Sequence, residues 1–129
     1  MSEQSLAERI DAIERAYEFM LAYAAQGRRD EAPGTSAGIR EFLTGAVAAL
    51  DGIAAAASEH VRGRANAAAF ELFIALLGQD AQKALAALRL ALATRPLSSQ
   101  LVDNLNASIH IRALLTDLFL IDEALKGEQ

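Results

Sequence analysis

The chain has no cysteine and no tryptophan, only two histidines and two prolines, and an aromatic content of 5%. Without cysteine, disulfides, thiolate metal sites and cysteine nucleophiles are excluded. With proline confined to Pro33 and Pro96, little interrupts a long helix. Positive charge is also scarce, with 12 Lys and Arg against 17 Asp and Glu and a net charge of −5. The basic residues are scattered and form no stripe, so neither nucleic acid nor an anionic membrane is expected as a partner. No apolar run reaches the ~18 uncharged residues that a membrane span requires. Asp51, Glu71 and Arg89 interrupt the most apolar stretches. Met1-Ser2-Glu3-Gln4 is polar and acidic, with no basic and apolar leader behind it, which predicts a cytoplasmic location. P-loop, dinucleotide-binding glycine, H-E-x-x-H and G-x-S-x-G patterns are all missing.

What is abundant is alanine and leucine, together more than a third of the 129 residues. Both favour helix over strand. The composition predicts an all-α chain: one domain over 1–129, an antiparallel bundle of about five helices. Ser5 and Glu8 have the spacing of a capping box, so helix 1 starts at Leu6. Leu6, Ile10, Ile13, Tyr17, Met20 and Ala24 form its apolar seam, Gly27 ends it, and Tyr23 is placed at the rim. Arg28 to Ala37 reads as an exposed loop. Thr35 or Ser36 is the expected cap of helix 2, which carries Ile39, Phe42, Leu43, Ala46, Leu50 and Ile53 on one face. Helix 3 runs from about Arg64 to Leu77, and from Ala67 to Leu77 its only charge is Glu71, so it is apolar all round, which predicts burial. Gly78-Gln79-Asp80 reads as a stop followed by a new cap, opening a helix 4 that Pro96 closes. Ser98 or Ser99 caps helix 5, drawn from Gln100 to Lys126 and apolar on nearly every side.

Gly38, Gly45 and Gly52 recur at seven-residue spacing within the helix 2 region. Seven residues is almost two turns, so on one rod the three would share a stripe. An interior glycine costs about 1 kcal/mol relative to alanine. A helix that carries three is expected to use them for close packing against another backbone.

The candidate polar residues are few. Glu71 stands alone in an apolar helix, and Arg112 falls among Leu105, Ile109 and Phe119. A buried charge must be paired. Glu71 is therefore predicted to be buried and to meet Arg112, or else His110 or His60, as an internal salt bridge, a subunit contact or the lining of a ligand site. His110 shares a stripe with Asp103, Asn106 and Asp117. Ferritin-like metal sites need a Glu three residues before the histidine. Ala57 and Ala107 occupy those positions here, so no metal or other cofactor is expected.

Two short segments resemble known families. His60-Val61-Arg62-Gly63 is similar to the H-x-x-K-G segment of histidine phosphotransfer domains, with one residue fewer between His and the cation. That resemblance implies a small helical protein phosphorylated on His60. Ile10-Asp11-Ala12-Ile13-Glu14 is similar to the first helix of all-helical chorismate mutases. The catalytic arginine of that family falls on Ala7, which removes the activity.

No nucleophile, base and oxyanion donor converge on any reading of the helices. The leading expectation is a non-enzymatic interaction, adaptor or small regulatory protein, acting as a homodimer, with another protein as a further partner. The alternative is a small-molecule- or metal-binding bundle using His60, Glu71, His110 and Arg112. Helix 5 is expected at the dimer interface, because one short chain cannot enclose both it and helix 3.

Overall fold

The structure, a computed structural model, describes residues 4–30 and 38–127. Within them the chain is all-helical: α1 Leu6–Ala25, α2 Ile39–Leu50, α3 Ile53–Val61, α4 Ala67–Ala93, α5 Ser99–Ala107 and α6 Ile109–Leu125. α1 packs against α2 and α5, and α4 packs against α6, α3 and α2. No single helix among the described residues is long and apolar enough to cross a membrane.

α1 begins where the sequence places it. The Ser5 side chain accepts from the Glu8 N–H at 3.1 Å, and the Glu8 carboxylate accepts from the Ser5 N–H at 2.8 Å. Two orphan donors of the first turn are thus satisfied reciprocally. Leu6, Ile10, Ile13 and Met20 are buried, as are Arg9, Ala16 and Tyr23, a second line seven residues apart. Tyr23 is not at the rim: its hydroxyl donates to Leu97 O inside the fold. Ser99 Oγ donates to Tyr23 O at 2.6 Å, which ties the end of α1 to the start of α5.

The expected helix 2 is two helices. α2 stops at Leu50, Gly52 takes a left-handed φ of 83°, and α3 departs with a bend of 49°. The expected caps Thr35 and Ser36 lie outside the described residues, and Gly38 is the N-cap of α2. Gly38, Gly45 and Gly52 are therefore not one close-packing stripe. The first caps a helix in extended backbone and the third turns the chain, with only the Arg9 side chain near the position of a Cβ, at 3.8 Å. Gly45 lies within α2, and nothing stands within 4 Å of where its Cβ would be. The two mid-chain glycines should thus respond oppositely to alanine. Gly45→Ala should gain about 0.5–1 kcal/mol from helix propensity, while Gly52→Ala should lose about 1–2 kcal/mol to the left-handed backbone. Urea denaturation of the two variants checks this; shifts of the same sign would contradict it.

The stop at Gly78 does not occur. α4 continues through it, because Phe70, Ile74, Leu77, Ala81, Ala84, Leu85, Leu88 and Ala91 keep one unbroken helical period toward the core. Gly78 is instead where α3 comes close: a Cβ there would stand 3.3 Å from the Ala54 methyl. The long helix 5 divides into α5 and α6 at Ser108, whose extended backbone and hydroxyl, accepting from Ile111 N at 3.3 Å, open α6 as an N-cap.

Three helix C-termini are closed by distant arginines. Arg9 on α1 donates to Ala49 O at 3.0 Å and to Asp51 O at the end of α2. Arg40 on α2 donates to Leu92 O and Thr94 O, both at 2.8 Å, at the end of α4. Arg64 donates to Leu125 O and Gly127 O at 3.3 and 3.2 Å, at the end of α6. None of these three helices carries a basic residue in its own last turn. The guanidinium groups satisfy orphan carbonyls and place positive charge at the negative end of each macrodipole.

Candidate functional site

Two stripes with the same rhythm meet along α4 and α6. On α4, Ala69, Phe73, Leu76 and Asp80 follow at spacings of four, three and four, and on α6 so do Ala113, Asp117, Leu120 and Ala124. Such spacing keeps each set on one side of its helix. The helices run in opposite directions, so the start of α4 lies beside the end of α6. There Ala69, Phe70, Phe73, Leu120, Ile121 and Ala124, with Asn66, line an open and mainly apolar hollow of about 270 Å³. Arg64 lies at the Phe70 side, its guanidinium carbon 5.3 Å from the ring centroid. Leu120 lines the hollow and is 56% exposed, and Leu72 and Leu76 on α4 are 80% and 45% exposed. Leu72 and Leu76 come from the segment whose all-round apolarity predicted burial. One side is buried, and the other faces outward with nothing among the described residues upon it.

One turn along the seam, Asp80 of α4 meets Asp117 of α6. Asp117 is only 6% exposed, and no donor among the described residues reaches its buried Oδ2. The neighbour is a second carboxylate, so the pair bonds only by holding a proton between its oxygens. Burial first, then the hydrogen bond to Asp80 and the negative charge of Asp80, push Asp117 up to about 7. An unfolded aspartate sits near ~3.9. The folded chain therefore holds a proton that the unfolded chain releases. The pair's contribution to stability is fully present below the ordinary carboxylate value and is lost as pH rises through about 7.

A second acidic group lies between α1 and α6. Burial raises the Glu14 carboxyl above its ordinary value, with smaller contributions from Asp122, Asp11 and Glu18. Arg15 answers Asp11 at 3.2 Å, and Lys126 answers Glu123 at 3.3 Å. These pairs are exposed and worth little.

The four residues proposed from sequence as an internal polar site are all on the surface. His60 is exposed on α3, Glu71 on α4, and His110 and Arg112 on α6. Glu71 accepts a hydrogen bond from Ser58 Oγ at 2.7 Å, and its predicted pairing with Arg112 or a histidine is not formed. The physical reason is that helix 3 is not enclosed: Glu71 lies on the outer α3 side of α4, where water solvates it. Arg112 has exposed neighbours too, since Ile109 and Phe119 are themselves mostly in solvent. His60 has the accessibility a phosphoacceptor requires, but the Arg62 beside it is held by Glu59 at 2.5 Å. The break at Ser108 splits the stripe of Asp103, Asn106, His110 and Asp117: the second and fourth are buried, the other two exposed. Among the described residues no three His, Cys, Asp or Glu side chains are grouped closely enough to hold a metal ion.

Asp80 was hidden from sequence reading by its place after Gly78, where it resembles an N-cap. The signal was the 4-3-4 spacing that links it to Ala69, Phe73 and Leu76 once α4 is unbroken. Comparison with known proteins finds no matching family model, no similar curated protein and no similar solved structure.

Proposed function

We propose that the chain is a non-enzymatic interaction module, an antiparallel helical bundle that works as a homodimer through the α4–α6 face. The observation that carries this reading is the hollow of about 270 Å³ lined in part by the exposed Leu120, together with Leu72 and Leu76 exposed on α4. Knob and hole lie side by side on one patch, which is what a two-fold interface needs, since the same surface must serve both subunits. The charges on this face are also of both signs: Lys83, exposed, follows Asp80 by three residues on α4. The apolar centre and charged edge match the anatomy of a protein interface. Such an interface should bury at least ~1,000 Å² in total.

Sedimentation velocity tests the reading directly. The chain should sediment as a dimer at micromolar concentration. The double variant Leu72→Lys, Leu120→Lys should be monomeric, because each substitution removes about 1.5–3 kcal/mol of burial and adds a charge at the contact. A wild-type chain that remains monomeric up to about 100 µM, a free energy of only ~5.5 kcal/mol for any weaker dimer, would overturn it.

A further inference from the structure

We infer that α3 is a hinged flap, which opens off α4 as one unit while the rest of the fold stays closed. What carries this is where the chain is clamped. Upstream, Arg9 donates to Ala49 O and to Asp51 O, and so fixes the residue directly before Gly52. Downstream, Arg64 donates to Leu125 O and Gly127 O at 3.3 and 3.2 Å, and so fixes the residue directly after Gly63. Just inside the two clamps stand two glycines in left-handed backbone, Gly52 at φ 83° and Gly63 at φ 85°. Between those glycines lie only α3, Ile53–Val61, and its C-cap Arg62. Glycine passes between backbone basins that other residues cannot enter. A fixed frame that ends on both sides at such a residue is the construction of a hinge, whose few positions absorb the whole change in φ and ψ.

Little else ties α3 down. Its buried side chains are Ile53, Ala57 and Val61, and the first of them sits at the pivot. By comparison, α1 buries seven side chains and α4 eight, so both belong to the part of the fold that opens last. Ser58 Oγ, donating to Glu71 at 2.7 Å, makes the one side-chain hydrogen bond from α3 to another helix among the described residues, and it is exposed. The ion pair of Glu59 with Arg62 stays within the flap and travels with it. The seam with α4 is close at Ala54 and Gly78. Beside that contact, however, runs an open trench of about 500 Å³ that reaches Ser58, Glu71, Ile74 and Gln82. A seam with such a gap lacks part of the contact that a packed one would surrender on opening. Opening bares the α4 line of Glu71, Ile74 and Gly78, of which Ile74 is only 3% exposed when the flap is closed. The flap is thus a gate over this strip of α4, and it stands independently of the homodimer reading.

Native-state hydrogen exchange at increasing low urea tests the gate, on wild type and on Ser99→Ala. In wild type the amides of α3 should exchange together, at least ~30-fold faster than the slowest amides of α1 and α4, and with a much weaker dependence on urea. Ser99 lies far along the chain from α3 and is bonded to Arg28 N and Tyr23 O. Its loss weakens the closed and the flap-open states alike against the unfolded chain. Ser99→Ala should therefore speed the slowest amides of α1 and α4 about tenfold and leave those of α3 unchanged. Amides of α3 that are as protected as those of α4, or that follow Ser99→Ala by the same factor, exchange only through global unfolding and overturn the inference. Where Ser99→Ala fails to fold, the wild-type urea dependence decides: a slope for α3 equal to that of α4 overturns the gate, and a markedly smaller one supports it.

Discussion

Arg9→Met should destabilise the protein by roughly 2–4 kcal/mol, among the largest losses any single polar side chain here can produce. Methionine keeps most of the aliphatic stem, so the packing of α1 on α2 survives the change. What goes is a guanidinium that is only 7% exposed and donates to Gln4 O, Ala49 O and Asp51 O. Ala49 is fully buried, so no water can replace the lost donor at its carbonyl. Leaving one such acceptor unsatisfied costs about 1–3 kcal/mol, and losing a cation from the end of α2 adds up to about 1 kcal/mol. Arg9→Lys should recover only part, because one ammonium cannot repeat the planar fork that spans two carbonyls. Chemical denaturation gives the size, and hydrogen exchange of the last amides of α2 gives the location. Arg9→Met within about 0.5 kcal/mol of wild type would show that the buried guanidinium is dispensable.

The three arginine closures add long-range bonds to whatever local devices close these helix ends. A helix end commonly closes with glycine at C′ or a basic residue in its last turn. α2 and α6 are followed by Gly52 and Gly127, but none of α2, α4 and α6 has a basic residue in its last turn, and arginines are supplied from elsewhere in the fold. Arg9 reaches carbonyls 40 and 42 positions away, and Arg40 reaches carbonyls 52 and 54 positions away. These bonds fix how neighbouring helices are offset along their length, a thing that apolar stripes alone leave loose. They hold α4 and α6, and with them the proposed docking face, against the remaining helices.

Local signals in the sequence were legible and distant ones were not. Ser5 with Glu8, and Ser98 before α5, announce their helices because a cap acts within one turn. The seam of α1 and the inward face of α2 follow from periodicity alone. Glycine was misread because its meaning depends on what stands opposite. Gly52 turns the chain, Gly45 faces open space, and Gly78 meets Ala54, yet all three look alike in one dimension. Glu71 was misread for the same reason, since an apolar helix need not be enclosed on every side. Arg9 carried a readable trace in its seven-residue spacing from Ala16 and Tyr23. A charge on a core line usually suggests exposure, however, and its carbonyl partners leave no mark in the sequence. The Asp80–Asp117 contact likewise exists only once two helices are laid antiparallel.

Gly78→Leu should destabilise the fold by about 1–3 kcal/mol or more, despite replacing glycine with a far better helix former. On an isolated helix the same change would gain nearly 1 kcal/mol. Here a Cβ alone would stand 3.3 Å from the Ala54 methyl, and the rest of a leucine side chain would need the space that α3 occupies. α3 is a short helix held at its start by the left-handed Gly52 and buried at Ile53, Ala57 and Val61. It cannot move off α4 without opening those three contacts. Gly78→Ala divides the two effects: propensity favours it, the methyl contact opposes it, and the sum should lie near zero. Combining it with Ala54→Gly relieves the contact and leaves the propensity. The double-mutant cycle should therefore return a coupling of at least ~0.5 kcal/mol between residues 54 and 78. A Gly78→Leu protein with wild-type stability would mean that α3 swings away at no cost, and the close approach of the two helices would then contribute nothing to the fold.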